Sequence, residues 1–366
     1  PHDWDLCTSA LPQQGMELFG EEKCIPTGLQ HGTVTVKQGG GLYEITTFRT
    51  EGAYTDGRHP DEVHFVPDVR EDLARRDFTI NAMAYNEKEG LIDPFGGQAD
   101  LQSGILRAVG VPHQRFTEDA LRILRLYRFA ARFGFSIDPP TAQAAQELCA
   151  HLDCVSVERI EEELTKLLSA PAPAAYLDEK ILGVVLPELS PEALAAAKPV
   201  VDACPAGEQA LPVRLAALLL SLGEDGTRRT LRRLRCSNAC IEETAVLVRE
   251  VVPGVPVSLN IYARRLLGKY NLCTVQRLAA LGTALQPEHA ADFAALSELA
   301  EQLNADGVCC RISQLAVNGR DLMAAGVPAG PGIRKVLEVL LDGVIREEYP
   351  NERQALLAAV QQLAAS

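Results

Sequence analysis

The spacing of apolar residues divides the chain into an amino-terminal part with helix and strand patterns and a longer part with helix patterns only. Residues 32–37, 42–48 and 62–66 are short runs rich in β-branched and aromatic residues, which predict strands. From about residue 115 onward, the apolar positions follow a helical period in Ala- and Leu-rich segments separated by prolines. The pattern therefore predicts a mixed α/β head within residues 1–100 and an all-α remainder.

Acidic side chains in the amino-terminal part are candidates for a metal site. Asp3 and Asp5 lie two residues apart, so a strand would point both to the same face. Glu44 lies in a predicted strand and is the candidate for a third carboxylate. Magnesium prefers oxygen ligands and keeps substrate phosphates as its other partners. The pattern thus predicts a magnesium site at Asp3 and Asp5, against the alternative of solvated turn and strand residues.

Two basic segments have the residue types of a nucleotide site. Arg75 and Arg76 lie in a stretch with helical periodicity, and guanidinium groups fit phosphate oxygens. A solvated basic turn is the alternative. Farther on, a helix would set the Asp119 carboxylate and the Arg122 guanidinium one turn apart on one face. Such a pair complements the amino group and ring nitrogen that cytosine and adenine share, whereas an intrahelical salt bridge is the alternative.

The same segment continues with further arginines among apolar residues. Arg125, Arg128 and Arg132 follow at three- and four-residue steps, and the residues between them leave little polar surface. Because buried arginines need partners, this pattern favours a bound nucleotide over a solvated helix face.

Six short motifs occur in order within residues 1–170. They are Asp3-x-Asp5, Glu44-Ile-Thr-Thr-Phe-Arg49, Arg75-Arg76-Asp77-Phe-Thr-Ile-Asn81-Ala, Asp93-Pro-Phe-Gly-Gly97, Glu118-Asp119-Ala-Leu-Arg122-Ile-Leu-Arg125-Leu-Tyr-Arg128-Phe and Ser156-Val-Glu158-Arg159-Ile-x-Glu162-Glu163-Leu. In order and spacing the set resembles the class II tRNA nucleotidyltransferases, the bacterial-type CCA-adding enzymes. Residues 318–332 resemble the carboxy-terminal region of that family more loosely.

The resemblance implies an α/β nucleotidyltransferase head with a mixed sheet, followed by an elongated all-α neck, body and tail. The implied boundaries are 1–114 for the head, 115–170 for a neck with the nucleotide-selecting helix, 171–280 for a body that is a candidate tRNA-binding region, and 281–366 for the tail. The implied reaction adds C, C and A to the tRNA 3′ end from CTP and ATP, with release of pyrophosphate and no nucleic-acid template. It is phosphoryl transfer assisted by two Mg²⁺ ions.

The resemblance also assigns a role to each candidate site residue. Asp3 and Asp5 become the metal ligands, Glu44 a third acid, Arg76 a phosphate contact, Asp119 and Arg122 the base-reading pair, and Arg125 and Arg128 residues around the incoming nucleotide.

Three alternatives remain open at this stage. A bacterial poly(A) polymerase shares the catalytic head, and other relatives add only CC or only A. Residues 49–63 resemble a flexible loop that CC-adding relatives lack, which favours full CCA addition. The third alternative is a catalytically impaired RNA-binding fragment. The family carries a Gly-Gly turn and a Val-Arg-Asp segment before the aspartate pair, so a chain that begins at Pro1 is expected to lack this triphosphate cradle.

The charge pattern narrows the choice of an RNA-binding region. A net charge of −14 argues against RNA binding by the whole surface, but residues 211–270 hold ten Lys or Arg against five acids. The arginines within 228–235 are the candidate tRNA contact, with a solvated amphipathic helix as the alternative.

No apolar run approaches the roughly 20 residues of a membrane span, and the ten cysteines form no Cys-x-x-Cys pair. We therefore predict a cytoplasmic enzyme without a membrane partner, of open oligomeric state.

Overall fold

The chain forms two compact units in a computed structural model that describes residues 5–51, 63–251 and 258–365. The first unit comprises Pro1–Leu194 with Arg233–Arg235, and the second Ala195–Arg232 with Cys236–Ser366. Asp3 and the loop segment 52–62 lie outside the described residues. The finer boundaries expected at residues 114, 170 and 280 stay predictions.

A four-stranded mixed sheet carries the amino-terminal end of the first unit. Its strands are β1 (Asp5–Thr8), β2 (Cys24–Gly28), β3 (Thr33–Gln38) and β4 (Gly41–Thr47). They lie in the order β1-β4-β3-β2, with β1 parallel to β4 and the other neighbours antiparallel. Helix α1 (Pro12–Phe19) packs against β3, whose Val34 and Val36 are buried. The mixed α/β head is confirmed.

Shorter elements connect this sheet to the helical part. They are β5 (Arg49–Glu51), β6 (Val63–Phe65), α2 (Val69–Ala74), β7 (Ala84–Asn86), β8 (Gly90–Ile92), α3 (Gly97–Ser103), β9 (Ile105–Leu106) and β10 (Ser136–Ile137). Strands β5 and β6 pair antiparallel, as do β7 and β8, while β9 and β10 pair parallel. The helical periodicity around Arg75 and Arg76 was misleading, because α2 ends at Ala74 and a turn follows.

The glycine turn before α3 is closed by the protein itself. The Asp93 carboxylate accepts hydrogen bonds from the backbone N–H groups of Gly97, at 2.7 Å, and of Gln98, at 2.9 Å. A Cβ atom on Gly97 would lie 2.2 Å from the Thr79 carbonyl oxygen, so the close approach requires glycine. The segment is therefore a structural turn.

The rest of the first unit is mainly helical. Its helices are α4 (Pro112–Glu118), α5 (Leu121–Phe133), α6 (Pro139–Glu147), α7 (Val157–Leu168), α8 (Glu179–Val185) and the start of α9 (Pro191–Ala203). Helix α5 packs against α7 and buries Ile123, Leu124 and Leu126. The prolines at 139 and 140 open α6, because proline fits the first turn of a helix.

The regular elements of the second unit are helices throughout its described residues. They are α10 (Leu211–Leu219), α11 (Gly223–Arg233), α12 (Asn238–Glu250), α13 (Leu259–Lys269), α14 (Leu272–Leu285), α15 (Ala290–Ala305), α16 (Gly319–Ala324), α17 (Gly332–Ile345) and α18 (Arg353–Ala365). Leu322, Leu340 and Leu356 from the last three helices share one core. Within the described ranges, no helix is both long enough and apolar enough to cross a membrane.

Candidate active site

Two of the three predicted acidic ligands are described, and they lie side by side. Asp5 and Glu44 are register partners on the parallel strands β1 and β4, so their side chains point to the same face of the sheet. Both residues are exposed, and neither has an ion pair with another described residue. Adjacent free carboxylates are the hard oxygen ligands that Mg²⁺ takes. The described residues hold no group of three His, Cys, Asp or Glu that could bind a metal, so this pair is an incomplete ligand set.

Cys7 relates this carboxylate face to the turn that follows α2. Cys7 follows Asp5 by two residues in β1, so the two side chains lie on the same face of the strand. Burial raises the pKa of the Cys7 thiol, the positive charge of Arg76 lowers it, and the carboxylates of Asp72 and Asp5 raise it further. Asp72, which binds Arg76, also accepts a hydrogen bond at 3.2 Å from the backbone N–H of Arg49, two residues after β4 ends, so the turn that carries Arg76 is joined to the end of β4.

The buried carboxylate of Asp72 organises the arginine turn. Arg75 donates to its Oδ1 from Nε at 3.0 Å and from Nη2 at 2.9 Å, and Arg76 donates to its Oδ2 from Nη2 at 3.4 Å. Arg76 Nη1 also donates to the Asn81 carbonyl oxygen at 3.2 Å. The buried Nε–H of Arg76 has no partner in the described residues. The turn is thus tied to Asp72 rather than solvated. The Arg76 side chain is 32% exposed, and its two contacts use two of its four Nη N–H donors, which leaves two for a ligand.

The expected helix through Asp119 and Arg122 is wrong. Helix α4 ends at Glu118, Asp119 has extended backbone angles (φ −143°, ψ 103°), and α5 begins at Leu121. Arg122 Nη1 donates instead to Glu118 Oε2 at 2.9 Å, one helical turn back. An intrahelical pair between Asp119 and Arg122 is therefore not what holds either side chain.

The Asp119 carboxylate is held by two contacts. Its Oδ1 accepts from the Leu121 backbone N–H at 3.0 Å, and its Oδ2 accepts from Arg159 Nη2 on α7 at 2.8 Å. The Arg159 contribution was not predicted, although Arg159 lies within the last of the six motifs. A carboxylate has about four acceptor sites. About two remain for a ligand.

Arg122 also has donors left. Its Nη1 donates to Glu118 and to the Arg115 carbonyl oxygen, and its Nη2 donates to the Arg75 carbonyl oxygen at 3.0 Å. A guanidinium carries five N–H donors. These three contacts leave two of them, enough for a base edge. Arg122 is 8% exposed, so contacts from three sides hold its guanidinium in place.

Arg125 and Arg128 have carboxylate partners within the protein. Arg125 donates to Asp77 Oδ2 from Nη2 at 2.7 Å, and its Nη1 lies 3.7 Å from Glu163 Oε1. Arg128 Nε donates to the buried Glu163, and its guanidinium lies 3.8 Å from the Phe129 ring centroid. The argument that these arginines need a nucleotide was therefore wrong, because Asp77 and Glu163 already meet the requirement.

The charge of the Asp119 carboxylate also acts on Arg125. Burial lowers the pKa of Arg125, but the carboxylates of Asp77, Glu163 and Asp119 together raise it above its ordinary value. Asp77 and Glu163 had not been singled out as site residues. Each lies inside a quoted motif, and that position was the signal available in the sequence.

The arginines of residues 228–235 have mixed surroundings. Arg228 pairs with Glu224 at 3.0 Å and with Glu242, Arg233 pairs with Glu188 at 2.6 Å, and Arg235 pairs with Glu158. Arg229 and Arg232 are exposed and make no ion pair within the described part of the chain. Only part of the predicted tRNA-contact cluster therefore carries free charge.

Three family models match consecutive parts of the chain. One described as "Poly A polymerase head domain" matches residues 1–107, and one described as "Probable RNA and SrmB- binding site of polymerase A" matches residues 134–192. The "tRNA nucleotidyltransferase domain 2" model matches residues 213–360.

Full-length relatives are similar to almost the whole chain. The CCA-adding enzyme of Lactobacillus delbrueckii subsp. bulgaricus is 37% identical over 369 residues, covering 97% of this chain and 88% of the relative. That of Geobacillus stearothermophilus is 35% identical over 367 residues, covering 97% and 87%. The crystal structure of the Bacillus stearothermophilus CCA-adding enzyme in complex with CTP superposes with a TM-score of 0.82 at 31% identity, covering 99% of this chain and 89% of that one. The chain therefore belongs to the family of CCA-adding enzymes, which are tRNA nucleotidyltransferases.

Proposed function

We propose that this chain adds C, C and A to the 3′ end of tRNA, taking the nucleotides from CTP and ATP. The 3′-hydroxyl oxygen forms a bond to the α-phosphorus, the bond from that phosphorus to the β-phosphate oxygen breaks, and pyrophosphate leaves. The observation that carries the proposal is the pairing of Asp5 and Glu44 on one sheet face, as two carboxylates that have no ion pair with another described residue.

The carboxylate face is where we propose that two Mg²⁺ ions bind. Asp3 and Asp5 are the proposed ligands, and Glu44 is the third acid. Bound Mg²⁺ supplies Lewis-acid chemistry that lowers the pKa of the 3′-hydroxyl and stabilises the charge of the departing pyrophosphate. Arg76 contributes the remaining Nη N–H donors of its partly exposed guanidinium to a phosphate oxygen.

Asp119 and Arg122 are the proposed base readers. The unused acceptor sites of Asp119 fit the exocyclic amino group of cytosine or adenine, and the unused donors of Arg122 fit the adjacent ring nitrogen. Uracil and guanine offer the reverse order, which would leave polar groups of the site without partners. In this proposal Arg125 and Arg128 contribute to the nucleotide site indirectly, through the carboxylates of Asp77 and Glu163 that they bind.

The helical part supplies the proposed RNA contacts. Arg229 and Arg232 are the arginines of the predicted cluster that are exposed and have no ion pair with another described residue, and phosphate neutralisation dominates RNA affinity. We place the reaction in the cytoplasm because its proposed substrates are tRNA and nucleoside triphosphates. No disulfide bond joins any of the ten cysteines, in keeping with a reducing compartment.

The poly(A) polymerase alternative is favoured by the names of two of the family models. The relatives at 35% and 37% identity, which span nearly the whole chain, favour CCA addition instead. The two activities differ in whether CTP is used and whether addition stops. The impaired-fragment alternative predicts no incorporation of either nucleotide.

The deciding experiment measures incorporation of labelled CTP and ATP into tRNA that ends at the discriminator base. We expect Asp5→Asn to lower kcat at least about a thousandfold, because metal stabilisation of the transition state contributes several kcal/mol. We expect tRNA binding to stay nearly unchanged. Glu44→Gln should lower kcat by a smaller factor than Asp5→Asn.

The matched control is Glu87→Gln, since Glu87 is an exposed carboxylate in the turn between β7 and β8. Wild-type turnover by Asp5→Asn would exclude the metal assignment. Open-ended incorporation of AMP alone by the wild-type chain would support the polymerase reading.

A further inference from the structure

Arg159 lies in the first turn of α7, the helix that packs against α5. Its Nη2 donates to Asp119 Oδ2 at 2.8 Å, and the two side chains are 23% and 15% exposed. The remaining side-chain nitrogen of this fork, Nη1, is buried without a partner in the described residues. Asp119 is therefore the one acidic partner that the described residues offer to Arg159.

The position of Asp119 in the chain explains why its carboxylate needs the contact from Arg159. It occupies the break between α4 and α5, so neither helix sets its side-chain direction. The hydrogen bond from the Leu121 backbone N–H fixes one carboxylate oxygen, but the carboxylate can still rotate about that contact. The second contact, from Arg159, fixes the other oxygen and with it the plane of the carboxylate.

We propose that Arg159 is a positioning residue for nucleotide choice, which acts by holding the Asp119 carboxylate in its base-reading orientation. This inference rests on the proposed base-reading role of Asp119. A carboxylate rejects uracil and guanine only while its free acceptor sites point at the base edge. Without Arg159, the Asp119 carboxylate is still present, but its orientation is no longer fixed.

The contact differs from an ordinary surface ion pair on the same helix. Lys166 and Glu162 also pair on α7, at 2.6 Å, but their side chains are 51% and 62% exposed. Exposed pairs contribute little because solvent competes for both charges. Lys166 therefore provides a matched control with the same helix and the same charge.

The test compares Arg159→Met, Arg159→Lys and Lys166→Met. We expect Arg159→Met to raise use of UTP relative to CTP, and of GTP relative to ATP, about tenfold, the size of losing one charge-assisted hydrogen bond at a specificity site. Arg159→Lys keeps a donor and should restore most of the preference. Lys166→Met should behave as wild type. KM for CTP should rise in Arg159→Met more than kcat falls, because the metal site is untouched.

A double variant separates this role from a general loss of structure. If Arg159 acts through Asp119, then Asp119→Ala with Arg159→Met discriminates no worse than Asp119→Ala alone. Additive losses, or wild-type preference in Arg159→Met while Asp119→Ala is unselective, would overturn the positioning role and leave the base reader intact. Wild-type preference in Asp119→Ala would instead refute the base reader itself. Thermal midpoints of all variants confirm that folded proteins are compared.

Discussion

Two helices carry arginines at three- and four-residue steps, but the structure treats them differently. In α5 these are Arg122, Arg125, Arg128 and Arg132, and in α11 they are Arg228, Arg229, Arg232 and Arg233. The first three α5 arginines bind carboxylates from other elements or from the preceding helix, whereas Arg132 in the last turn is exposed. Those of α11 are exposed or bind glutamates near the surface.

The difference shows that the spacing of cations along a helix does not reveal their function. Asp77 and Glu163 come from 48 and 35 residues away to meet Arg125 and Arg128. A buried arginine with such a partner supports the structure of the site, whereas an exposed arginine without one is available to RNA phosphate. Substitutions in the two helices should therefore change different measurable properties.

The largest effect is expected on stability. Arg128→Met should lower the free energy of unfolding by about 3 kcal/mol, because among the described residues it leaves the buried Glu163 with only the 3.7 Å contact from Arg125. Arg229→Met, on the exposed face of α11, should change it by less than about 0.5 kcal/mol. Urea unfolding of both variants measures the contrast, and equal losses would show that burial does not distinguish the two helices.

The next effect is expected on nucleotide choice. Arg122→Ala should reduce the preference for CTP and ATP over UTP and GTP by about 1–3 kcal/mol, since the site would lose the donors that match the ring nitrogen. Arg228→Ala removes an equally paired arginine in α11 and should leave the preference unchanged. Competition assays on folded variants provide the measurement. An unchanged preference in Arg122→Ala would remove Arg122 from the base-reading site.

The smallest effect is expected on tRNA affinity. The double variant Arg229→Ala with Arg232→Ala should weaken tRNA binding and lower the dependence of log Kd on log salt by about 1–2, one counterion contribution for each lost phosphate contact. Arg233→Ala is the control, because Glu188 already neutralises that guanidinium. Filter binding over a salt series distinguishes them. An unchanged slope in the double variant would place the RNA surface elsewhere.

The sequence predicted the positions of some site residues correctly and the geometry of others wrongly. Asp5 and Glu44 were predicted from strand phase, and the register of β1 and β4 places them together because side chains alternate with a period of two. Asp119 and Arg122 were found as a pair, but with the wrong geometry. Helical periodicity does not reveal that α4 ends at Glu118 and that α5 begins at Leu121.

The order of motifs and the apolar periodicity determined the family, the mixed head and the helical remainder, since these depend on local patterns that a chain carries in its own residues. Tertiary structure alone decided which charges meet. The partners Asp77, Glu163 and Arg159 reach their targets from distant segments. Burial then decides which arginines are held inside the protein and which face solvent, because a desolvated cation requires a fixed partner and a solvated one does not.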